Sequence, residues 1–271
     1  MSPRVDEQSK AADVLSLEQI ADGLFVGTSP DYEWGRIYGG LVVAQALVAA
    51  GNTVPEGVHP HSLHAYFIRG GDPAQKIVYD VERVRDGRSF VTRAVHARQA
   101  NGNILMMIAS FHRDEAGFER QNTVMPQRLP DPDELEKSGW MTEMDTRELP
   151  GDGSGRFAMW GRWSGEELSN RMQHAAALAF MSDAIPMDSI VDAHPVTPEP
   201  GEWGNHFMSA SLDHAIWFRG PLRADQWLLY ESTSPGLRGS RGTTFGNVFT
   251  ADGQLVASVA QEGLLREIGG S

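Results

Sequence analysis

The chain has 271 residues, 41% of them hydrophobic, a net charge of −13 and no cysteine. That apolar fraction suits a packed core, no run approaches the roughly 20 apolar residues a membrane-spanning helix needs, and the acidic balance disfavours nonspecific nucleic-acid binding. The missing cysteines exclude disulfides, thiolate metal ligands and cysteine nucleophiles; with the polar start Met1-Ser2-Pro3-Arg4-Val5-Asp6, unlike a secretory signal, they predict a cytoplasmic protein.

Residues 1–12 read as a loose tail. Ser16 followed by Gln19 predicts a helix-opening capping box, and Leu24-Phe25-Val26-Gly27 a short strand. Gly39-Gly40 opens an apolar, alanine-rich stretch from Leu41 to Ala50 without alternation, which predicts a buried helix. Strand-like segments follow at Ser62–Ile68, Ile77–Arg85, Ser89–Arg98 and Ile104–His112, with hairpin signals at Asp86-Gly87 and Asn101-Gly102. The Pro-, Gly- and acid-rich region at 113–155 reads as a connection. Beyond it, Arg156–Arg162 is a candidate strand and His174–Met181 a second helix. Ala210–Phe218, Trp227–Glu231, Thr243–Thr250 and Leu255–Leu265 read as strands. One helix and an antiparallel sheet, twice, predict an α+β fold with units at 13–112 and 156–268 joined by 113–155.

The chain also repeats itself. His64-Ala65-Tyr66-Phe67-Ile68-Arg69-Gly70 returns 150 residues later as His214-Ala215-Ile216-Trp217-Phe218-Arg219-Gly220. Ala100-Asn101-Gly102-Asn103-Ile104-Leu105 returns 151 residues later as Ala251-Asp252-Gly253-Gln254-Leu255-Val256. Two matches in one order imply two copies of one unit, related as in a fused homodimer. Chemistry placed in one copy only then shows as a difference between them.

Five segments carry a resemblance: Tyr38-Gly39-Gly40-Leu41, His61-Ser62-Leu63-His64, Arg85-Asp86-Gly87-Arg88, Leu212-Asp213-His214-Ala215 and Gln261-Glu262-Gly263. In this order, from about Leu24 to Arg266, the chain resembles the type II acyl-CoA thioesterase family. The resemblance implies a double hotdog fold and hydrolysis of acyl-CoA to free acid and CoA, with no cofactor. It also implies a catalytic Asp, hydroxyl residue and Gln in the second half: Asp183 after the helix, Ser211 two residues before Asp213-His214, and Gln261. Ser211 departs from the family's Thr, keeping the hydroxyl but losing β-branched stiffness. By the repeat's offsets Ser211 corresponds to His61 and Gln261 to Ser110, and no acid lies within Leu41–Ala50, so one site per chain is expected.

The residues alone leave plainer readings open. An Asp at a helix end commonly caps or faces solvent, a strand Ser is commonly just that, and Gln261 in an apolar run reads equally as a satisfied core amide. Asp213-His214 reads as structural, because His64 repeats His214 in the copy without a site. Gly39 and Gly40 are candidates for close backbone approach to substrate. Arg238 and Arg241, in the Gly-rich stretch Pro235–Gly242, are candidates for the CoA phosphates, against the reading of that stretch as a mobile hairpin loop.

The nine histidines form no ligand-spaced cluster beyond His59-Pro60-His61, so no metal is expected. Two rivals remain: a thioester-binding module without catalysis, and a hotdog hydratase or dehydratase, for which Asp31 lacks the nearby His. Sheet edges leave room for further copies to join as a homo-oligomer.

Overall fold

The computed structural model describes residues 14–268 apart from 140, 152, 197 and 199–201; the tail read at 1–12 lies outside the described residues. Strands β1 (Glu18–Ala21) and β2 (Leu24–Gly27) form a hairpin at one sheet edge. Ser16 and Gln19 therefore open no helix. The segment has no apolar helical face to bury, and β1 is exposed along its whole length.

Helix α1 (Gly39–Gly51) is buried on nearly every side, as expected of a helix apolar all round. Strands β3 (Val58–Phe67), β4 (Ile77–Asp86), β5 (Phe90–Gln99) and β6 (Gly102–Arg113) largely alternate buried and exposed residues, giving each one core face. Gly102 turns the β5–β6 hairpin with φ 103°, a conformation L side chains resist. The connection is not without structure. It contains β7 (Met144–Glu148), paired with β8 (Arg156–Trp163) at the other edge of the sheet. That strand is mostly polar, and Arg162 and Arg147 neutralise its buried Asp145.

The second helix, α2 (Arg171–Ser182), starts where the Asn170 side chain accepts the Gln173 N–H. It is followed by α3 (Pro186–Asp192) and a single turn, α4 (Trp203–His206). The expected single strand Ala210–Phe218 is two: β9 (Phe207–Ser211) and β10 (Asp213–Phe218). Asp213 Oδ1 accepts the Glu262 N–H at 2.7 Å, replacing a ladder bond at the break. Then come β11 (Leu228–Arg238), β12 (Arg241–Thr250) and β13 (Leu255–Glu267). Gly239 and Ser240, both with φ near 60°, close β11 and β12 as a tight two-residue turn, so the Gly-rich stretch is ladder and not loop.

All strands belong to one antiparallel sheet, ordered β1-β2-β4-β5-β6-β3-β10-β13-β12-β11-β8-β7, with β9 also on β13. The two halves mirror each other across the β3–β10 pair. Helices α1 and α2 lie antiparallel: a Cβ on Gly40 would meet Phe180 O, and one on Gly51 would meet Met172. Small residues let these backbones approach.

The ladders correct the register of the repeat. Ala65 pairs with Met107, and Ile216 with Val259; Phe67 pairs with Leu105, and Phe218 with Ala257. The halves therefore superpose at an offset of 151 on the inner strands (Ala65 to Ile216) and 152 on the next (Met107 to Val259). The sequence match at 150 instead equates exposed His64 with fully buried His214. Neighbouring strand residues point to opposite faces, so a slip of one residue exchanges them.

Candidate active site

Asp183 is the C-cap residue of α2, 6% exposed. Ser211 ends β9, where the chain breaks toward β10. Gln261 lies on the core face of β13, 1% exposed. The fold brings these three together. Ser211 Oγ donates to Asp183 Oδ1 at 3.1 Å, and Gln261 Nε2 donates to Ser211 Oγ at 2.8 Å.

The network continues through a residue that sequence reasoning set aside. His214 Nδ1 is 2.5 Å from Gln261 Oε1, and His214 Nε2 is 2.9 Å from Ser182 Oγ. An amide oxygen only accepts, so Nδ1 carries the proton; the Ser182 hydroxyl is within reach of both His214 Nε2 and, at 3.1 Å, Ala179 O. Hydrogen bonds thus run in one direction, from His214 to Gln261 to Ser211 to Asp183. The signal available in the sequence was the alternation of β10, which puts His214 on the same face as Ile216 and Phe218.

Burial sets the electrostatics. It pushes the Asp183 carboxyl up to about 7, against hydrogen bonds from Ser211, the Gly40 N–H and Gln261, which favour the charged form. Burial pushes His214 down to about 4, so its imidazole is neutral at pH 7. Asp188 on α3 is pushed up to about 8 by burial, with the Glu148 charge adding to it. Tyr38, whose hydroxyl donates to Phe180 O at 2.8 Å, is held well above its usual range by burial and then by the Asp183 charge.

Gly39 and Gly40 form the start of α1 against this cluster. A Cβ on Gly39 would stand 2.7 Å from Asp183 Oδ2 and 2.8 Å from the Phe67 ring. The site is therefore built from both halves. Arg238 and Arg241 are not in it. They face each other in the last β11–β12 pair, and Arg241 is tied to Glu262 at 2.9 Å. Arg241 lies three residues along β12 from Thr244, which pairs with Gln261, about 10 Å at ~3.3 Å per residue. Asp31 is exposed. Among the described residues no group of side chains is arranged to hold a metal ion, and no helix is long and apolar enough to cross a membrane.

With the corrected register, the first-half counterparts of Ser211, His214 and Gln261 are Pro60, Leu63 and Ala109, in place of His61, His64 and Ser110. The counterpart of Asp183 is the α1 C-cap residue, Asn52, which lies outside the stretch Leu41–Ala50. Thr244, paired with Gln261, corresponds to Arg93, paired with Ala109. Arg93 is 1% exposed and bonded to Thr53 and Asp86, so its guanidinium occupies this region of the first half. The first half has none of the second half's polar network, and His61 and Ser110 bond to each other instead, at 2.8 Å.

Comparison with known proteins follows the same division. The family model for the acyl-CoA thioesterase N-terminal domain matches residues 28–112, and that for the C-terminal domain matches 121–265. Acyl-CoA thioesterase 2 of Haemophilus influenzae is 34% identical, over 93% of this chain and 96% of its own. The crystal structure of acyl-CoA thioesterase II TesB2 from Mycobacterium marinum is 39% identical, with TM-score 0.81 over 95% of this chain and 97% of that one. A hot dog fold protein from Alicyclobacillus acidocaldarius, 21% identical, matches with TM-score 0.77 over 94% of this chain and 97% of its own, a likeness of fold. The chain adopts a hotdog fold and belongs to the acyl-CoA thioesterase family.

Proposed function

We propose that this thioesterase hydrolyses acyl-CoA at one site per chain, where Asp183, Ser211 and Gln261 direct a water onto the thioester carbonyl. We read the molecule as a double hotdog: a unit at 13–112 lends the start of α1, and a unit at 156–268 lends the catalytic groups. The observation that carries the reading is the Asp183–Ser211–Gln261 network, buried against the side-chain-free start of α1.

The chemistry needs only water and a base. Asp183, as carboxylate, takes a proton from water while the water oxygen bonds to the carbonyl carbon. The negative charge on the carbonyl oxygen is met by backbone N–H groups of the first turn of α1, which lack helical partners, other than that of Gly40, which is given to Asp183. The C–S bond then breaks, Asp183 returns the proton to the CoA sulfur, and the acid departs. A carboxyl near 7 serves both steps, because it gains and loses a proton at working pH. Arg238 and Arg241 remain candidates for the CoA phosphates, with Arg241 about 10 Å along β12 from the Thr244 that pairs with Gln261.

The test is thiol release from acyl-CoAs of graded chain length. Asp183→Asn keeps the shape and removes the base, and turnover is expected to fall on the order of 10²–10⁴-fold. A folded variant with near-parental turnover would remove Asp183 from the reaction. A parent that binds acyl-CoA and releases no thiol would make the protein a binding module.

A further inference from the structure

We propose that His214 is a positioning residue for the hydrolysis. Its Nδ1–H holds the Gln261 amide in the one orientation that aims Nε2–H at Ser211, and through Ser211 at Asp183. The proposal rests on the reading of Asp183 as the base.

Ser211 has a single hydroxyl proton, and it is given to Asp183 Oδ1 at 3.1 Å. Its oxygen must therefore accept from Gln261, so Nε2 and not Oε1 must face it. An unrestrained amide gains little from either face. Here that orientation turns Oε1 to His214 Nδ1, 2.5 Å away, and an amide oxygen there requires the ring proton to sit on Nδ1. The other ring nitrogen lies 2.9 Å from Ser182 Oγ, whose hydroxyl also reaches Ala179 O at 3.1 Å, so Ser182 locates the ring and the Gln261 amide sets its tautomer. Ser182 precedes Asp183 in the chain, so the network closes on itself through one peptide bond. Reversal of the Gln261 amide would set Oε1 against Ser211 Oγ and Nε2 against Nδ1–H, breaking two bonds at once.

A buried histidine with two partners is otherwise ordinary core. Two observations separate His214 from that. Both partners are groups of the site or adjoin it. Its true counterpart in the other half is Leu63, paired with Ala109 where His214 neighbours Gln261. The fold accepts leucine at that point of the strand when no amide needs orienting.

That counterpart supplies the variant. His214→Leu is expected to fold, to lower kcat by about 10–100-fold and to leave KM within about twofold. His214→Asn, which keeps an N–H donor near the Nδ1 position, is expected to recover part of the loss. In a Gln261→Ala background, His214→Leu is expected to add less than about threefold, because both changes remove the same device.

The pH profile gives a readout that packing alone would not move. The groups around Asp183 are Ser211 from β9, Gln261 from β13, the Gly40 N–H from α1 and, among titratable side chains, Tyr38. Misaligned donors stabilise the carboxylate less, so the acid limb of kcat/KM should move to higher pH in His214→Leu. Parental kcat and an unmoved limb in His214→Leu, or fully multiplicative effects with Gln261→Ala, would overturn the proposal. Asp183→Asn is assayed beside them. If it alone is inactive, only the role of His214 fails; if it too is active, the reading of the site fails. Should His214→Leu not fold, the Asn variant against Gln261→Ala decides by the same rule.

Discussion

Ser211 carries the sharpest test at the level of a single side chain. Its oxygen accepts from Gln261 and its proton goes to Asp183. Threonine presents the same donor and acceptor, so Ser211→Thr is expected to hold turnover within about threefold. Ser211→Ala removes both bonds while changing little volume, and leaves the Gln261 amide and the carboxylate each one partner short. An unmade bond to a charged group costs about 1.5–3 kcal/mol, so turnover should fall on the order of tenfold or more, with the melting temperature lower by only a few degrees and the protein still folded. Saturating turnover with melting measured beside it separates the two; parental turnover in Ser211→Ala would make the hydroxyl structural. The first-half control for this change is Pro60, since the ladders and not the sequence match define the equivalent position.

At the level of elements, the start of α1 and the end of α2 hold the site by direct backbone approach. A Cβ on Gly40 would stand 2.4 Å from Phe180 O, a main-chain atom already fixed by Tyr38. Neither helix can yield, so Gly40→Ala is expected to cost about 1–3 kcal/mol, as overpacking does. A Cβ on Gly39 meets side chains, Asp183 and Phe67, which can turn aside. Gly39→Ala should therefore melt closer to the parent yet lose turnover, because the carboxylate is displaced. Melting curves and thiol release on both variants check this; a Gly39→Ala enzyme of parental activity, or a Gly40→Ala protein as stable as the parent, would refute it. The elements themselves were partly legible in the residues. The all-round apolar stretch after Gly39-Gly40 and the alternating strands announced themselves, because each repeats one physical signal over many residues. What stayed hidden was short or set by partners far along the chain. Edge strands β1 and β7 have no apolar face to read. The break at Leu212 exists because β9 pairs only with β13 while β10 also meets β3. Helix α3 begins with Pro186 at its first turn, a start signal that could have been used. His214 was hidden by a sequence match one residue out of register with the fold.

For the whole molecule, two carboxyls with raised pKa, the buried Asp183 and the half-buried Asp188, couple the site to stability. Asp183 and Asp188 titrate near 7 and 8 in the folded protein, against 3.8 for an ordinary Asp. The folded state thus holds these protons more tightly than the unfolded chain does. Below about pH 4 both states are protonated and there is no penalty. As pH rises through 4 the unfolded chain ionises first, and the folded state loses ground until its own groups ionise near 7 and 8. Each tenfold difference in proton affinity between the two states is worth about 1.4 kcal/mol, so each raised carboxyl costs on the order of a few kcal/mol at pH 8. A neutral amide removes that cost. Asp183→Asn and Asp188→Asn are each expected to melt above the parent at pH 8 and to converge with it toward pH 4. Thermal melting from pH 4 to 9 reads the effect directly. A variant that melts below the parent at pH 8, or a gap that widens toward acid, would mean the carboxylate is stabilised by its site instead of strained in it. With the carboxyl strained in its site, Asp183→Asn combines higher stability at pH 8 with lost turnover, the pattern expected where a fold holds a charged base out of water for chemistry.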